Sequence, residues 1–210
     1  MRAGPMQQSD PPDPATGTSG QPLLLVRHSR PCISNGMSYR DWPLSDEGRR
    51  LAVRAAEYVA GFNPRLICSS DERKASDTAK IIARHCSLDV NVVPDLREHD
   101  RTGVKWRDAA TRRQELQALF ANPDDVVFGR ESGSQALQRL KSAIDRVTKR
   151  TSGPWVLVTH GTVMALYLAR LTDRAALEIW SQLGLPAVAA VDCRNRRLVE
   201  LVAEFPDRRS

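Results

Sequence analysis

The chain has 210 residues, of which 41% are hydrophobic and 27% charged, and a formal net charge of +6. This length suits one domain with a full core and is too short for two comfortable ones. The cations are scattered and aromatic residues make up only 5%, which argues against a nucleic-acid-binding surface. No apolar stretch approaches the ~20 residues that a membrane-spanning helix needs, so we expect no membrane partner.

The four cysteines show neither a C-x-x-C pair nor a spacing typical of metal ligands. We therefore expect reduced thiols, no metal and a cytoplasmic location. Residues 1–21 are rich in Pro, Ser, Thr and Gly, and they predict a disordered tail rather than a secretory signal. One domain over residues 22–204 is expected to follow.

Strand-like apolar runs alternate with helical patterns along this domain. The runs predict strands at 22–27, 65–69, 90–93, 155–158, 187–191 and 197–202. Helical spacing predicts helices at about 45–61, 72–85, 109–120, 134–150, 162–171 and 175–183. The polar stretch from about 96 to 130 is expected to leave the core and cover part of the active face. The alternation predicts an α/β fold, a three-layer α/β/α sandwich with a mostly parallel central sheet.

Two histidines directly follow apolar strand-like runs. His28 ends the run that includes Arg27, and His160 ends the run at 155–159. Open α/β folds place their chemistry at the carboxyl ends of such strands. We therefore expect two imidazoles and the Arg27 guanidinium at one edge of the sheet, in a cationic pocket that suits a phosphate. The alternative is that each histidine only caps its strand as a polar residue.

Hydrolysis of a phosphate monoester through a histidine has three requirements. It needs a neutral imidazole as nucleophile, donors around the phosphoryl oxygens, and an acid for the leaving alkoxide. No metal is obligatory, and we expect no cofactor. Arg73 follows the second strand and Glu98 the third, while Gly161 opens a helix whose free N–H groups favour a nearby anion.

These residues lie in motifs that resemble those of the histidine phosphatase superfamily, also called the phosphoglycerate mutase-like family. The motifs occur in order over essentially the whole domain: LLLVRHS at 23–29, P-L-S-x-x-G at 43–48, S-x-x-x-R-A-x-x-T-A at 69–79, L-x-E at 96–98, G-E-S at 129–132 and the second histidine motif at 156–161. Two of them depart from the family pattern. The segment at 69–79 is displaced by one residue at the alanine, and the segment at 129–132 contains an inserted residue. The resemblance implies a phosphoglycerate mutase-like fold.

The resemblance also implies a role for each matching residue. His28 would be the phosphorylated nucleophile and Glu98 the proton donor. Arg27, Arg73 and His160 would hold the phosphoryl oxygens. For the two arginines, the alternative is that they form surface salt bridges.

The acid is the least determined of these roles. His99 and Asp100 follow Glu98 directly, and either is an alternative proton donor.

The loop after His28 departs from the family pattern. Its residues 29–31 are Ser, Arg and Pro where the family has Gly, Glu or Gln, and Thr or Ser. We expect Arg30 to face the non-phosphate part of the substrate and to favour an acidic or multiply phosphorylated compound. Asn35 is a further substrate-binding candidate, although it stands one residue later than the family's asparagine, with Ser34 in that place.

The sequence therefore predicts a metal-independent phosphomonoesterase that acts through a phosphohistidine. Its expected partner is a phosphorylated small molecule, with a phosphoprotein as the second choice. The alternatives are a phosphohistidine-protein phosphatase, mutase-type phosphoryl transfer, and an inactive phosphate-binding module. The excursion at 96–130 looks too small to enclose a bisphosphate, which favours a phosphatase over a mutase. The sequence does not indicate the natural substrate or the oligomeric state.

Overall fold

The structure is a computed structural model that describes residues 21–34, 36–104 and 108–207. Residues 1–20 of the predicted tail at 1–21 and the site candidate Asn35 lie outside the described residues. The strands are β1 Pro22–Arg27, β2 Leu66–Ser69, β3 Val90–Val92, β4 Trp155–Thr159, β5 Ala187–Asp192 and β6 Arg197–Val202. The helices are α1 Asp46–Ala60, α2 Arg73–Cys86, α3 Ala109–Ala121, α4 Gly133–Arg150, α5 Gly161–Ala169 and α6 Ala176–Gln182. A short 3-10 turn at Pro94–Leu96 was not predicted.

The strands form one sheet in the order β3-β2-β4-β1-β5-β6. The pairs β3–β2, β2–β4 and β4–β1 are parallel, and the pairs β1–β5 and β5–β6 are antiparallel. Arg27 lies opposite Thr159, and Ser69 lies opposite Val158. The carboxyl ends of β1, β4 and β2 therefore meet at one edge of the sheet.

Alternate residues of β1 enter two separate cores. Leu23 and Leu25 pack with residues of α4, α5 and α6. Leu24 and Val26 pack with residues of α1 and α2 on the other face. A strand buried on both faces reads as a continuous apolar run, which is why β1 shows no alternation. The predicted three-layer α/β/α sandwich is confirmed.

A hydrogen bond and a close backbone contact hold the loop after β1 against the beginning of α1. Ser45 caps this helix, because its side chain accepts the backbone N–H of Gly48. The carbonyl oxygen of Arg30 accepts the backbone N–H of Ser45 at 3.0 Å. It also lies so close to Gly48 that a Cβ there would come within 2.0 Å of it. Only glycine permits this approach, which fixes the backbone just beyond His28.

Among the described residues, no helix combines the length and the apolar character that crossing a membrane requires.

Candidate active site

The two predicted histidines lie together at the carboxyl edge of the sheet. The ring centroids of His28 and His160 are 5.0 Å apart, and their planes meet at 62°. The backbone N–H of His28 donates to the carbonyl oxygen of Thr159, so the end of β1 is tied to the end of β4. This pairing brings two imidazoles from distant parts of the sequence into contact.

His28 is held as a neutral imidazole with a defined tautomer. Its Nδ1 lies 2.8 Å from the carbonyl oxygen of Ser29, and because a carbonyl only accepts, Nδ1 carries the proton. The lone pair is then on Nε2. Burial, together with the neighbouring His160 and Lys74, lowers the pKa of His28 well below its usual range. His28 also lines a cavity of about 590 Å³.

His160 is fully buried in contact with His28 and is not among the described residues that line the cavity. Its Nε2 lies 2.9 Å from the Ser70 hydroxyl and 3.5 Å from a carboxylate oxygen of Glu72. Burial and the charge of Lys74 lower the pKa of His160 well below its usual range. Its Nδ1 is buried without a hydrogen-bond partner among the described residues.

Arg27 reaches the same cavity from the last position of β1. Its Nη1 donates to the carbonyl oxygen of Leu183, and its guanidinium lies 6.0 Å from the ring centroid of Trp180. Burial lowers its pKa to about 10, which leaves it charged at neutral pH. A Cβ on Gly161 would come within 2.9 Å of the Arg27 guanidinium carbon, so the glycine lets Arg27 lie against the start of α5.

Glu98 places its carboxylate at the amino-terminal end of α5. Its oxygens accept the backbone N–H groups of Thr162 at 3.2 Å and Val163 at 3.3 Å, and one lies 3.5 Å from the Arg101 guanidinium. Burial alone would raise the pKa of Glu98. The positive charge of Arg101, the nearby His160 and the backbone donors outweigh burial and hold the pKa well below its usual range. Glu98 lines the cavity and is ionised at neutral pH.

The two alternative acids lie elsewhere. His99 is buried, with its Nε2 2.6 Å from the carbonyl oxygen of Glu131 and its ring against Phe128. The Asp100 carboxylate accepts the backbone N–H of Thr102. Neither residue is among the described residues that line the cavity, so the geometry favours Glu98.

The structure contradicts the predicted placement of Arg73. This side chain is about half exposed and lies 3.9 Å from Asp77 on the surface of α2. Lys74 is buried instead and lines the cavity, where its Nζ donates to the Tyr39 carbonyl oxygen at 2.8 Å and pairs with Glu72. Alignment of the segment at 69–79 on its first serine puts Arg73 in the arginine position. Alignment on A-x-x-T-A at 75–79 puts Lys74 in the arginine position and would have found it.

The expectation for Arg30 is also wrong. Its guanidinium is half exposed and pairs with Glu47 at 2.7 Å, outside the set of residues that line the cavity. Glu47 belongs to the first turn of α1, and because that turn packs beside the loop, it takes up the charge. Arg30 therefore adds no positive charge to the cavity.

Two arginines that the sequence analysis did not single out complete the wall. Arg101 lies in the irregular segment after Glu98 and donates to the Thr162 hydroxyl at 3.1 Å. Arg112 lies on α3, where burial and the charge of Arg101 lower its pKa to about 9. The excursion at 96–130 thus supplies part of the cavity wall. Among the described residues, no cluster of three or more metal-ligating side chains occurs.

Arg139 and Glu131 hold the segment that carries Glu98. Arg139 donates to the carbonyl oxygens of Asp95, Arg97 and Glu98 at 2.8, 3.0 and 3.2 Å. It also pairs with the Glu131 carboxylate at 2.6 Å, which accepts the backbone N–H of Asp100. The resemblance marked Glu131 in its G-E-S segment without a role. The contacts make it a support for the cavity wall.

A family model described as the histidine phosphatase superfamily, branch 1, matches residues 23–201. The chain belongs to this superfamily. The match confirms the family that the sequence motifs indicated, and it includes His28, Glu98 and His160.

Several phosphatases of this superfamily are similar to the chain. A metal-independent phosphoserine phosphatase of Arabidopsis thaliana is 32% identical over 168 residues, which cover 73% of this chain and 70% of that protein. A glucosyl-3-phosphoglycerate phosphatase of Mycolicibacterium vanbaalenii is 32% identical over 77% of this chain and 78% of that protein. The native structure of a mycobacterial glucosyl-3-phosphoglycerate phosphatase has a TM-score of 0.71 at 23% identity and covers 89% of this chain and 100% of that chain.

A probable phosphoglycerate mutase of Proteus mirabilis is 31% identical over 83% of this chain and 80% of that protein. The similar phosphatases support the predicted phosphatase activity. Because this relative is a probable mutase, mutase-type phosphoryl transfer stays the alternative.

Proposed function

We propose that this protein hydrolyses phosphate monoesters in two steps, with His28 carrying the phosphoryl group. The observation that carries the proposal is the neutral His28 imidazole at the wall of a cavity that Arg27 and Arg101 also line, with His160 packed against His28. Among the described residues, Nε of Arg27, Nε of Arg101 and Nδ1 of His160 are buried without hydrogen-bond partners. Donors set in place before the reaction stabilise the charge that develops on the phosphoryl oxygens.

In the first step, Nε2 of His28 attacks phosphorus and the bond to the leaving oxygen breaks. Glu98 gives its proton to that oxygen. In the second step, water attacks the phosphohistidine, its proton goes to the Glu98 carboxylate, and the electrons of the P–N bond return to Nε2. Phosphate leaves and the enzyme is restored.

Glu98 must acquire its proton with the substrate, because its pKa lies well below the usual range. A phosphate dianion beside a carboxylate raises the pKa of that carboxyl group. The binding of substrate therefore favours the protonated form that the first step requires.

Arg27, Lys74 and His160 are assigned to the phosphoryl oxygens. The Ser70 hydroxyl accepts the backbone N–H of Glu72 at 3.1 Å and can donate its own hydrogen to Nε2 of His160. Nδ1 of His160 then carries a proton, which it can donate to the phosphoryl group.

Turnover of p-nitrophenyl phosphate in the presence of a chelator tests the proposal. Wild type and His85→Ala, a change on the exposed part of α2, should turn over equally, whereas His28→Ala should lose activity. Rapid quenching with labelled ester should trap an acid-labile, alkali-stable phosphoryl group in wild type but not in His28→Ala. A strict requirement for added metal would contradict the mechanism.

Three further assays on the wild-type protein distinguish the alternative functions. Net transfer to a phosphoglycerate acceptor, without release of phosphate, would indicate a mutase. Hydrolysis of a phosphohistidine peptide but of no ester would indicate a phosphohistidine-protein phosphatase. Vanadate binding without any turnover would indicate an inactive phosphate-binding module.

We also propose that the protein works in the cytoplasm. All four cysteines are unpaired, and unpaired thiols persist in reducing compartments. Fractionation of cells with an antibody against the native protein tests this location.

A further inference from the structure

The cavity is much larger than the phosphoryl group requires. Its volume of about 590 Å³ lies within the ~300–1,000 Å³ typical of pockets that hold complete small molecules. Of the groups assigned to the phosphoryl oxygens, Arg27 and Lys74 belong to the described wall. The remainder of the wall is therefore available to the alcohol portion of an ester.

Much of that remaining wall is apolar. Ile33 and Met37 come from the loop after β1, and these residues are 51% and 41% exposed. Phe128 lies before α4, and Leu185 follows α6. Exposed apolar side chains grouped around a cavity indicate an apolar ligand rather than chance exposure.

The cations of the wall are largely offset by carboxylates of this chain. Lys74 pairs with Glu72, and Arg40 pairs with Asp71 at 2.7 Å. Arg101 lies beside Glu98.

Arg112 also has carboxylates near it. Those of Glu98 and Glu115 act to raise its pKa against burial, and all three side chains line the cavity. Among the described residues of the wall, one phosphate dianion therefore uses most of the uncompensated positive charge, and little is left to attract a second anionic group.

The described lining has four neutral hydroxyl side chains, those of Ser34, Ser38, Tyr39 and Thr102, beside nine apolar residues. The Ser38 hydroxyl already accepts the backbone N–H of Arg40 at 3.3 Å, and the Tyr39 hydroxyl accepts that of Arg101 at 3.3 Å. A buried sugar or polyol carries more hydroxyl groups than these four side chains can pair, and each unpaired buried hydroxyl is costly.

We propose that the preferred substrates are phosphate monoesters of apolar alcohols, with a single phosphate on an alkyl or aryl body that carries no second charge. The proposal rests on the proposed hydrolysis at His28. It sets this chain apart from the similar phosphoserine phosphatase and glucosyl-3-phosphoglycerate phosphatase.

A series of ethyl, butyl and hexyl phosphate tests the proposal, because the leaving oxygens are chemically alike and only the buried chain changes. The value of kcat/KM should rise roughly threefold to fourfold for each buried methylene, until the cavity is filled. O-phosphoserine and 3-phosphoglycerate should lie below butyl phosphate.

Ile33→Ser and Met37→Ser should flatten this series. Val92→Ser, a matched change at an exposed valine on β3, should leave it unchanged. A flat series in wild type, or a preference for the doubly charged esters, would overturn the substrate class while hydrolysis at His28 remained intact.

Binding of ethyl-, butyl- and hexylphosphonate, measured by calorimetry, gives a readout that does not depend on turnover. Affinity should rise along this series even if no ester is hydrolysed, in which case the proposed reaction fails and the apolar site stands. Affinity that is independent of chain length overturns the apolar site.

Discussion

Lys74 and Arg73 are neighbours in the chain, yet their side chains lie in opposite environments. The Lys74 side chain is 7% exposed and paired with Glu72, whereas the Arg73 side chain is 54% exposed on the surface of α2. Arg73 and Lys74 are the first two residues of α2. Consecutive residues of a helix point in different directions around its axis, so Arg73 faces solvent while Lys74 faces the cavity. Lys74 is therefore the cation that this helix contributes to the cavity.

Lys74→Ala is expected to lower kcat/KM for phosphate esters by roughly 10²–10³, the loss typical of removing one donor to developing charge. The matched change Arg73→Ala should stay within about twofold of wild type, since an exposed pair contributes little. Thermal melting of both variants separates lost catalysis from lost folding, because Lys74→Ala leaves Glu72 buried without its partner. A large loss of activity in Arg73→Ala alone would reverse the assignment.

The edge of the sheet was predictable from sequence because its strands are buried on both faces. Continuous apolar runs fix where β1 and β4 end, and parallel pairing then brings His28 and His160 together. The position of Lys74 depends on where the first turn of α2 begins, and a motif displaced by one residue leaves that undecided. Arg101 and Arg112 lie in an irregular segment and on a helix whose docking depends on tertiary contacts. No local pattern marks them.

Glu98→Gln is expected to slow esters of poor leaving groups far more than activated ones. An alkoxide needs a proton as it leaves, whereas p-nitrophenolate does not, and a positioned acid contributes about 10²–10⁴-fold. Hydrolysis of butyl phosphate should therefore fall by that order, while p-nitrophenyl phosphate should lose less than about tenfold. Steady-state kcat values for the two esters measure the difference.

His99→Ala is the comparison for this selectivity. Its Nε2 is directed to the Glu131 carbonyl oxygen, so its loss should slow both esters to a similar degree. Selective loss of butyl phosphate hydrolysis in His99→Ala, with none in Glu98→Gln, would show that the acid has been misassigned.

The free energy of unfolding is expected to fall as the pH is lowered from about 7.5 to about 5. Burial lowers the pKa of His28 and of His160 well below the usual range, whereas unfolded histidines take up a proton near pH ~6.5. Below that pH the unfolded chain binds more protons than the native one, so stability rises with pH across the window. Urea unfolding at several pH values measures this slope.

His160→Asn tests the source of the slope. The variant removes one histidine that is neutral when folded and protonated when unfolded, so its stability should depend less on pH than that of wild type. Glu98 also makes the folded protein less stable as the pH falls, but at lower pH than the histidines do, because its pKa is depressed in the folded state. An unchanged slope in His160→Asn would assign the effect to carboxyl groups instead.

Gly161→Ala is expected to impair phosphate binding through Arg27 rather than through the helix. A Cβ at this position would lie 2.9 Å from both Cζ and Nε of Arg27, closer than non-bonded atoms approach, so the guanidinium must move. Alanine suits a helix better than glycine does, and α5 itself should not be weakened. Displacement of a binding group by about 1 Å can lower kcat/KM by roughly 10²-fold. Vanadate inhibition should weaken in parallel.

Gly36→Ala, where a Cβ would meet nothing within 4 Å, is the matched control. If Gly161→Ala keeps full vanadate affinity, Arg27 does not hold the phosphoryl oxygens.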